Sequence, residues 1–208
     1  MPDWRIRPGK IVCVGRNYRE HAKELGNEVP TEPLIFLKPP SSVVWEGEPI
    51  VLPNVSSRVE HEGEIGVVVG KTLTRVSEKD AARGIRSIVA VNDVTARDLQ
   101  KTDGQWTRAK GFDTFCPLGE ESSQLPDLDS LTVVTLVNGV ERQRGKSSEM
   151  VFSIPSLLAY ISRIMTLEPG DLVATGTPSG VGQLAAGDVV EVEIPGVSRV
   201  SNPVQESQ

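Results

Sequence analysis

The sequence predicts a mostly β (α+β) domain with a few peripheral helices. Its 15 prolines and 19 glycines cut the chain into many short β-branched runs. An Asn138-Gly139 pair between two such runs is a strong hairpin signal. Only one stretch, 153–171, shows the clear apolar spacing of an amphipathic helix.

Taken in order, "KIVCVG" predicts a first strand over 10–15. "NYREHAKELG" (17–26) predicts a short helix, with Gly26 where a left-handed C-terminal cap falls. "EPLIFLKPPSSVV" is strand-like until Pro39 and Pro40 break it, and "EPIVLP" is a further short strand. "RVEHEGEIGVVVG" (58–70) reads as one strand that starts acidic and ends buried. Ser77 is placed to cap a helix in "VSEKDAARGI". "SIVAVNDVTARDLQ" passes from a β-branched strand into a turn or helix start. "LTVVTLVNGVERQRG" is the hairpin, and the helix of 153–171 is expected to end at Pro169-Gly170. Strands and glycine loops close the chain. No repeat or linker divides it, so residues 1–208 read as a single domain.

Composition narrows the function classes. Hydrophobic content of 38% and charged content of 24% suit a soluble globular protein, while 4% aromatics leave Val, Ile, Leu and Ala to build the core. A net charge of −6 argues against nucleic acid as a partner. It also means that an acidic substrate needs a local cluster of positive charge. Cys13 and Cys116 lie in apolar surroundings and read as reduced, buried thiols. No apolar segment follows "MPDWRIRPGK", so neither a signal peptide nor a membrane span is expected and the cytoplasm is the default location.

Four groups of residues carry possible chemistry. Glu60, Glu62 and Glu64 alternate along one strand and so share a face, about 6.6 Å apart in steps. With Asp93 from the end of the next β run they can form an oxygen-only cage for a hard divalent cation. Solvated strand-end acids fit the same pattern, and spacing alone does not say which two of the three glutamates bind. His21 and Glu24, at i and i+3, lie on one helix face, where a carboxylate can orient an imidazole base; incidental surface neighbours fit equally. His61 points away from Glu62 and Glu64 and reads as structural. Arg16, Arg97 and Lys110 each border a strand end or turn, and Lys110 precedes an apolar segment as an inward ammonium would, or as a surface lysine. "ATGTPSGVG" (174–182) is neither a dinucleotide fingerprint nor a Walker loop, yet its N–H groups and hydroxyls can hold a carboxylate.

Together, "VGRNYREHAKELG", "PLIFLKPPSSVV", "HEGEIGVVVGK", "VNDVTARDLQ", "AKGFDTFCPLG", "VNGVERQRG", "LLAYISRIMTLEPGDLVATGTPSGVG" and "GDVVEVEIPGVSRVSNPV" resemble the fumarylacetoacetate hydrolase family, in its acylpyruvate hydrolase-like branch. The eight stretches run in the family's order from about residue 10 to residue 204. The resemblance implies a mixed β-sandwich roll, a homodimer, and Mg²⁺ or Mn²⁺ held by Glu62, Glu64 and Asp93, with Ca²⁺ as a non-native occupant. It places a His21–Glu24 dyad on a lid helix and gives Lys110 a catalytic part. Arg16, Arg97, Gln100 and the Gly176-Thr177-Pro178 loop would contact substrate, and Glu60 falls outside the metal set.

The implied activity is metal-dependent hydrolysis of a C–C bond in acylpyruvate-like 2-oxo acids such as fumarylpyruvate or acetylpyruvate. Oxaloacetate decarboxylation and isomerisation of 2-hydroxyhepta-2,4-diene-1,7-dioate are the alternatives. The His-Glu pair favours hydrolysis, since decarboxylation least needs a water-activating base. A non-catalytic, calcium-stabilised β module is the remaining reading, and it leaves the dyad and Lys110 without a role.

Overall fold

The computed structural model of the chain describes residues 7–24, 26, 28–122 and 124–207. Two five-stranded sheets make its frame. The first orders its strands Leu34–Lys38, Ile11–Gly15, Leu172–Ala174, Gly63–Val69 and Ile85–Asn92; the second runs Val140–Lys146, Thr132–Val137, Val189–Ile194, Ser198–Glu206 and Ile50–Leu52. Ile65, Val67, Ile88 and Ala90 of the first sheet share one core cluster with Val133, Val192, Ile194 and Val200 of the second. The sheets therefore face each other, and each fully buried aliphatic side chain between them contributes about 1.5–3 kcal/mol. Gly63–Val69 is buried along its whole length, which is why its sequence runs apolar rather than alternating.

The hairpin forms as its turn residues dictate. Asn138 (φ 53°) and Gly139 (φ 76°) both adopt the left-handed conformation between Thr132–Val137 and Val140–Lys146. Ser77 caps Glu78–Ala82, its hydroxyl accepting from the Asp80 N–H (3.2 Å). The short helix near the N-terminus spans Arg19–Glu24, and Gly26 (φ 68°) follows it. Leu25, inside the expected helix, lies outside the described residues.

Two elements depart from the sequence reading. The amphipathic helix covers Ile154–Ile164 and stops short of Pro169-Gly170. Met165 is already extended, and Leu167 exchanges backbone hydrogen bonds with Leu73 (2.8 and 3.0 Å) while burying its side chain completely. Pairing with Leu73 thus replaces the last helical turn. Second, 58–70 is not one strand. Val59–His61 joins a three-stranded ribbon with Thr95–Ala96 and Gly182–Gln183, whereas Gly63–Val69 belongs to the first sheet. The chain changes sheets at Glu62, whose N–H donates to the Asn92 side chain (2.9 Å). Gly63 permits the close approach there, because an added Cβ would fall 1.9 Å from the Thr135 hydroxyl. Glu60 is consequently separated from Glu62 and Glu64. Among the described residues, no helix is long and apolar enough to cross a membrane.

Candidate active site

Three acids meet at this change of sheet. Glu62 stands at the break, Glu64 on the strand beyond it, and Asp93 just past Ile85–Asn92. The two strands pair with Gly63 opposite Asn92, and the Asp93 N–H donates to the Glu62 carbonyl (2.8 Å). One carboxylate oxygen from each of the three buried acids lies within 4.8 Å of the others.

Three cationic side chains reach the trio. Lys110 Nζ donates to Glu62 Oε2 (2.8 Å) and Asp93 Oδ2 (2.6 Å). Lys38 Nζ donates to Asp93 Oδ1 (2.7 Å) and the Val94 carbonyl (3.1 Å). Arg97 bridges Glu62 (2.5 Å) and Glu60 (2.7 Å) and donates to Gln100 Oε1 (2.6 Å). Glu60 also accepts from Arg58 (2.6 Å), so two guanidinium groups satisfy it outside the trio. Glu64 differs. Among the described residues its carboxylate accepts only from the Gly176 N–H (2.7 Å), with no cationic side chain bound to it.

The charges follow from these partners. Burial drives the Glu62 carboxyl up, but Lys110 and Arg97 overcome it and hold the group well below the usual carboxylate range. For Glu64, burial and then the neighbouring Asp93 and Glu62 push the carboxyl well above that range. Burial lowers the Lys110 ammonium, yet Asp93 and Glu62 outweigh it and keep the group charged. A buried carboxylate that lacks a cationic partner, beside two others, could hold a cation. Its donors are all hard oxygens, so the set fits Mg²⁺ or Mn²⁺ rather than a soft metal.

His21 is 4% exposed and borders the pocket that contains the three acids. Its Nδ1 lies 3.1 Å from Glu24 Oε2, and the same carboxylate accepts from the Gly180 N–H (3.0 and 3.2 Å). Arg16, Arg97, Gln100, Lys110 and Thr177 line this pocket too. Arg16 holds a left-handed backbone (φ 59°), uncommon for a side chain of its size, and makes no ion pair among the described residues. Gly176 (φ 100°) reaches Glu64 through its N–H, and Thr177 Oγ1 donates to the Gly63 carbonyl (2.9 Å). Pro178 lies apart, packed against Gly145 and bordering a neighbouring groove with Tyr18 and Arg144. His61 is buried, its Nδ1 3.0 Å from Gln143 Oε1. Cys13 and Cys116 are free and buried, and burial pushes the Cys116 thiol up to about 12.

The structure adds residues that sequence reasoning passed over. Lys38 carried a signal, a lysine closing an apolar strand before Pro39. Phe36 and Trp106 form an edge-on pair in the pocket wall, 5.2 Å between centroids. Buried Asn17, just before the helix Arg19–Glu24, ties it to the glycine loop by donating to the Thr175 carbonyl (2.8 Å), and also donates to the Phe152 carbonyl (3.1 Å). Gln143 sits in "VERQRGK", where nothing distinguishes it from its exposed neighbours.

Residues 10–205 match the family model described as the C-terminal domain of fumarylacetoacetate (FAA) hydrolase. The chain belongs to the fumarylacetoacetate hydrolase family. Its relatives within that family include a mitochondrial oxaloacetate decarboxylase of Dictyostelium discoideum, 45% identical over 90% of this chain and 89% of the relative. Oxaloacetate tautomerase YisK of Bacillus subtilis is 42% identical over 95% of this chain and 70% of its own length. Among solved structures, 5-carboxymethyl-2-hydroxymuconate delta-isomerase from Mycobacterium smegmatis superposes with a TM-score of 0.91 at 42% identity, covering 99% of this chain and 82% of the other. Family and relatives make the protein an enzyme of the fumarylacetoacetate hydrolase fold, mostly sheet with few helices.

Proposed function

We propose that the protein is a divalent-cation-dependent enzyme that generates the enol or enolate of small 2-oxo diacids, with oxaloacetate as its substrate class. The carrying observation is the juxtaposition of an unpaired buried carboxylate, Glu64, with the His21–Glu24 dyad and Arg16 around one pocket. The names of the Dictyostelium and Bacillus relatives support the choice of oxaloacetate. Glu62, Glu64 and Asp93 would hold Mg²⁺ or Mn²⁺, which supplies Lewis-acid polarisation of a 2-oxo group when bound.

The chain's own groups do the rest. Arg16 is available to grip a substrate carboxylate in the bidentate manner of guanidinium groups. Lys110 and Arg97 bring positive charge into a protein that is acidic overall, favouring a dianion locally. Glu24 fixes His21 through Nδ1, which leaves Nε2 as the atom that exchanges a proton. For tautomerisation, Nε2 takes a proton from C3, the C3–H electron pair forms the C2–C3 double bond, and the same proton is passed on to the 2-oxo oxygen to complete the enol. For decarboxylation, the C3–C4 bond breaks, C4 leaves as CO₂, and the bond's electron pair forms the pyruvate enolate, which takes a proton from water at C3; no base is required.

A second reading, hydrolysis of an acylpyruvate, is favoured by the same dyad, because Nε2 can instead take a proton from an attacking water. A substrate panel separates them. Oxaloacetate (keto–enol exchange by ultraviolet absorbance and pyruvate release), acetylpyruvate, fumarylpyruvate and the unsaturated 2-oxo heptanedioate are each assayed with Mg²⁺ or Mn²⁺. Turnover greatest on oxaloacetate is expected; turnover of acylpyruvates alone would move the assignment to hydrolysis.

A further inference from the structure

Gln143 lies on the return strand of the hairpin, whose side chains do not line the pocket, yet its amide is buried against the site. Every hydrogen-bonding capacity of that amide is used. Oε1 accepts from the Gly63 N–H (3.0 Å) and faces His61 Nδ1 (3.0 Å). Nε2 donates to Thr177 Oγ1 (2.7 Å) and the Pro178 carbonyl (2.8 Å). The orientation is fixed by the backbone, since Gly63 N–H can only donate and Pro178 O can only accept. His61 must therefore carry its proton on Nδ1. Thr177, having accepted from Gln143, donates its own proton to the Gly63 carbonyl (2.9 Å).

Gly63 is thus gripped at both N–H and C=O. Those two groups belong to the peptide planes leading to Glu62 and to Glu64, so the grip sets where both carboxylates leave the backbone. Gly63 has no side chain with which to resist rotation and no room for one. The loop held at Thr177 and Pro178 also presents the Gly176 N–H to Glu64 and the Gly180 N–H to Glu24. One amide therefore registers the acid trio and the base dyad against each other.

We propose that Gln143 is a positioning residue for divalent-cation binding, acting through Gly63 and the 176–180 loop without touching the ion. The inference rests on the metal reading above. Groups that hold ligands in place typically change metal affinity about 10–100-fold when removed. The test is calorimetric titration of Mn²⁺ into metal-free wild type, Gln143→Met and Ser198→Ala, with thermal unfolding of each. Ser198 is a comparable structural link elsewhere, accepting from the Ala90 N–H (2.9 Å) and donating to the Glu120 carbonyl (2.6 Å). Gln143→Met is expected to bind Mn²⁺ at least about tenfold more weakly, while Ser198→Ala loses stability but binds as wild type. Gln143→Glu, which keeps the acceptor for Gly63 but offers no donor to Thr177 or Pro178, serves if the methionine variant does not fold; it too should bind at least about tenfold more weakly. A folded Gln143 variant with wild-type affinity overturns the role of Gln143 and leaves the metal site standing. Failure of wild type to bind Mn²⁺ removes the metal site, and this inference with it.

Discussion

Glu64 is the acid on which the site's electrostatics turn. It is buried, flanked by two like charges, and held by one backbone N–H, so it needs either a proton or a cation. Glu64→Ala should lower Mn²⁺ affinity at least about a hundredfold, beyond the loss typical of a group that merely supports a ligand. The fold should persist, since a repelling charge is removed; calorimetry and circular dichroism check both halves. His21→Ala should depress tautomerisation, or acylpyruvate hydrolysis if that is the activity, by about 10²–10⁴-fold. Oxaloacetate decarboxylation should fall far less, and equal losses would count against proton transfer by His21. At this scale the sequence was informative where a residue type is rare in its setting. Acids before an apolar run and a lysine between apolar segments stand out on the line. Gln143 does not, because its neighbours on the return strand are as polar as it is, and only the fold turns it inward.

The glycine loop and the helix Arg19–Glu24 make one working element through Gly180. Its backbone is left-handed (φ 97°), a Cβ would lie 2.1 Å from the Arg142 carbonyl, and its N–H holds Glu24. Gly180→Ala should displace the loop and release Glu24, lowering kcat by about tenfold or more as a misplaced base does, with Mn²⁺ affinity changed less; steady-state kinetics beside a metal titration check the split. The loop at 56–57 is pinned differently. Burial nudges the Asp98 carboxyl up, but hydrogen bonds from Ser56 Oγ (2.6 Å), Ser57 N–H (2.7 Å), Ser57 Oγ and Leu99 N–H hold it down at about 2. Unfolded aspartate titrates near 3.9, so this support is complete above about pH 4 and is lost as pH falls toward 2. Asp98→Asn should be less stable than wild type at pH 6, with the gap closing between pH 4 and 2 in denaturant titrations. Local turn chemistry made the hairpin and the Ser77 cap readable. The break at Glu62 was not, because period-two alternation continues straight across it and only Gly63 marks the close approach that bends the chain between sheets.

Across the whole molecule, the acid trio joins the first sheet to the ribbon that carries His61, while Lys38 ties it to the edge strand of that sheet and Lys110 to the short helix Thr107–Lys110. A cation bound there stabilises the fold as one body. At a free Mn²⁺ concentration of about 100 times Kd the expected gain is about 2.7 kcal/mol, a rise in Tm of roughly 5–10 °C for a chain of this length. Scanning calorimetry with Mn²⁺ and with EDTA measures it, and coincident transitions would exclude binding at the trio. A mostly β domain was legible from short β-branched runs and turn residues, and the family resemblance added the sandwich roll. How the sheets face each other was not, because period and propensity are local while that packing joins residues far apart in sequence.

The first strand, Ile11–Gly15, lies parallel to Leu172–Ala174, and the segment leaving each one enters the pocket. During synthesis, Ile11–Gly15 must wait for the long stretch between it and Leu172–Ala174 before that neighbour emerges from the ribosome. Glu24 must likewise wait for Gly180. Nascent chains halted before this point should be catalytically silent and expose an unzipped β edge to chaperones. The pocket cannot close before residues as far along the chain as Gly180 have been made.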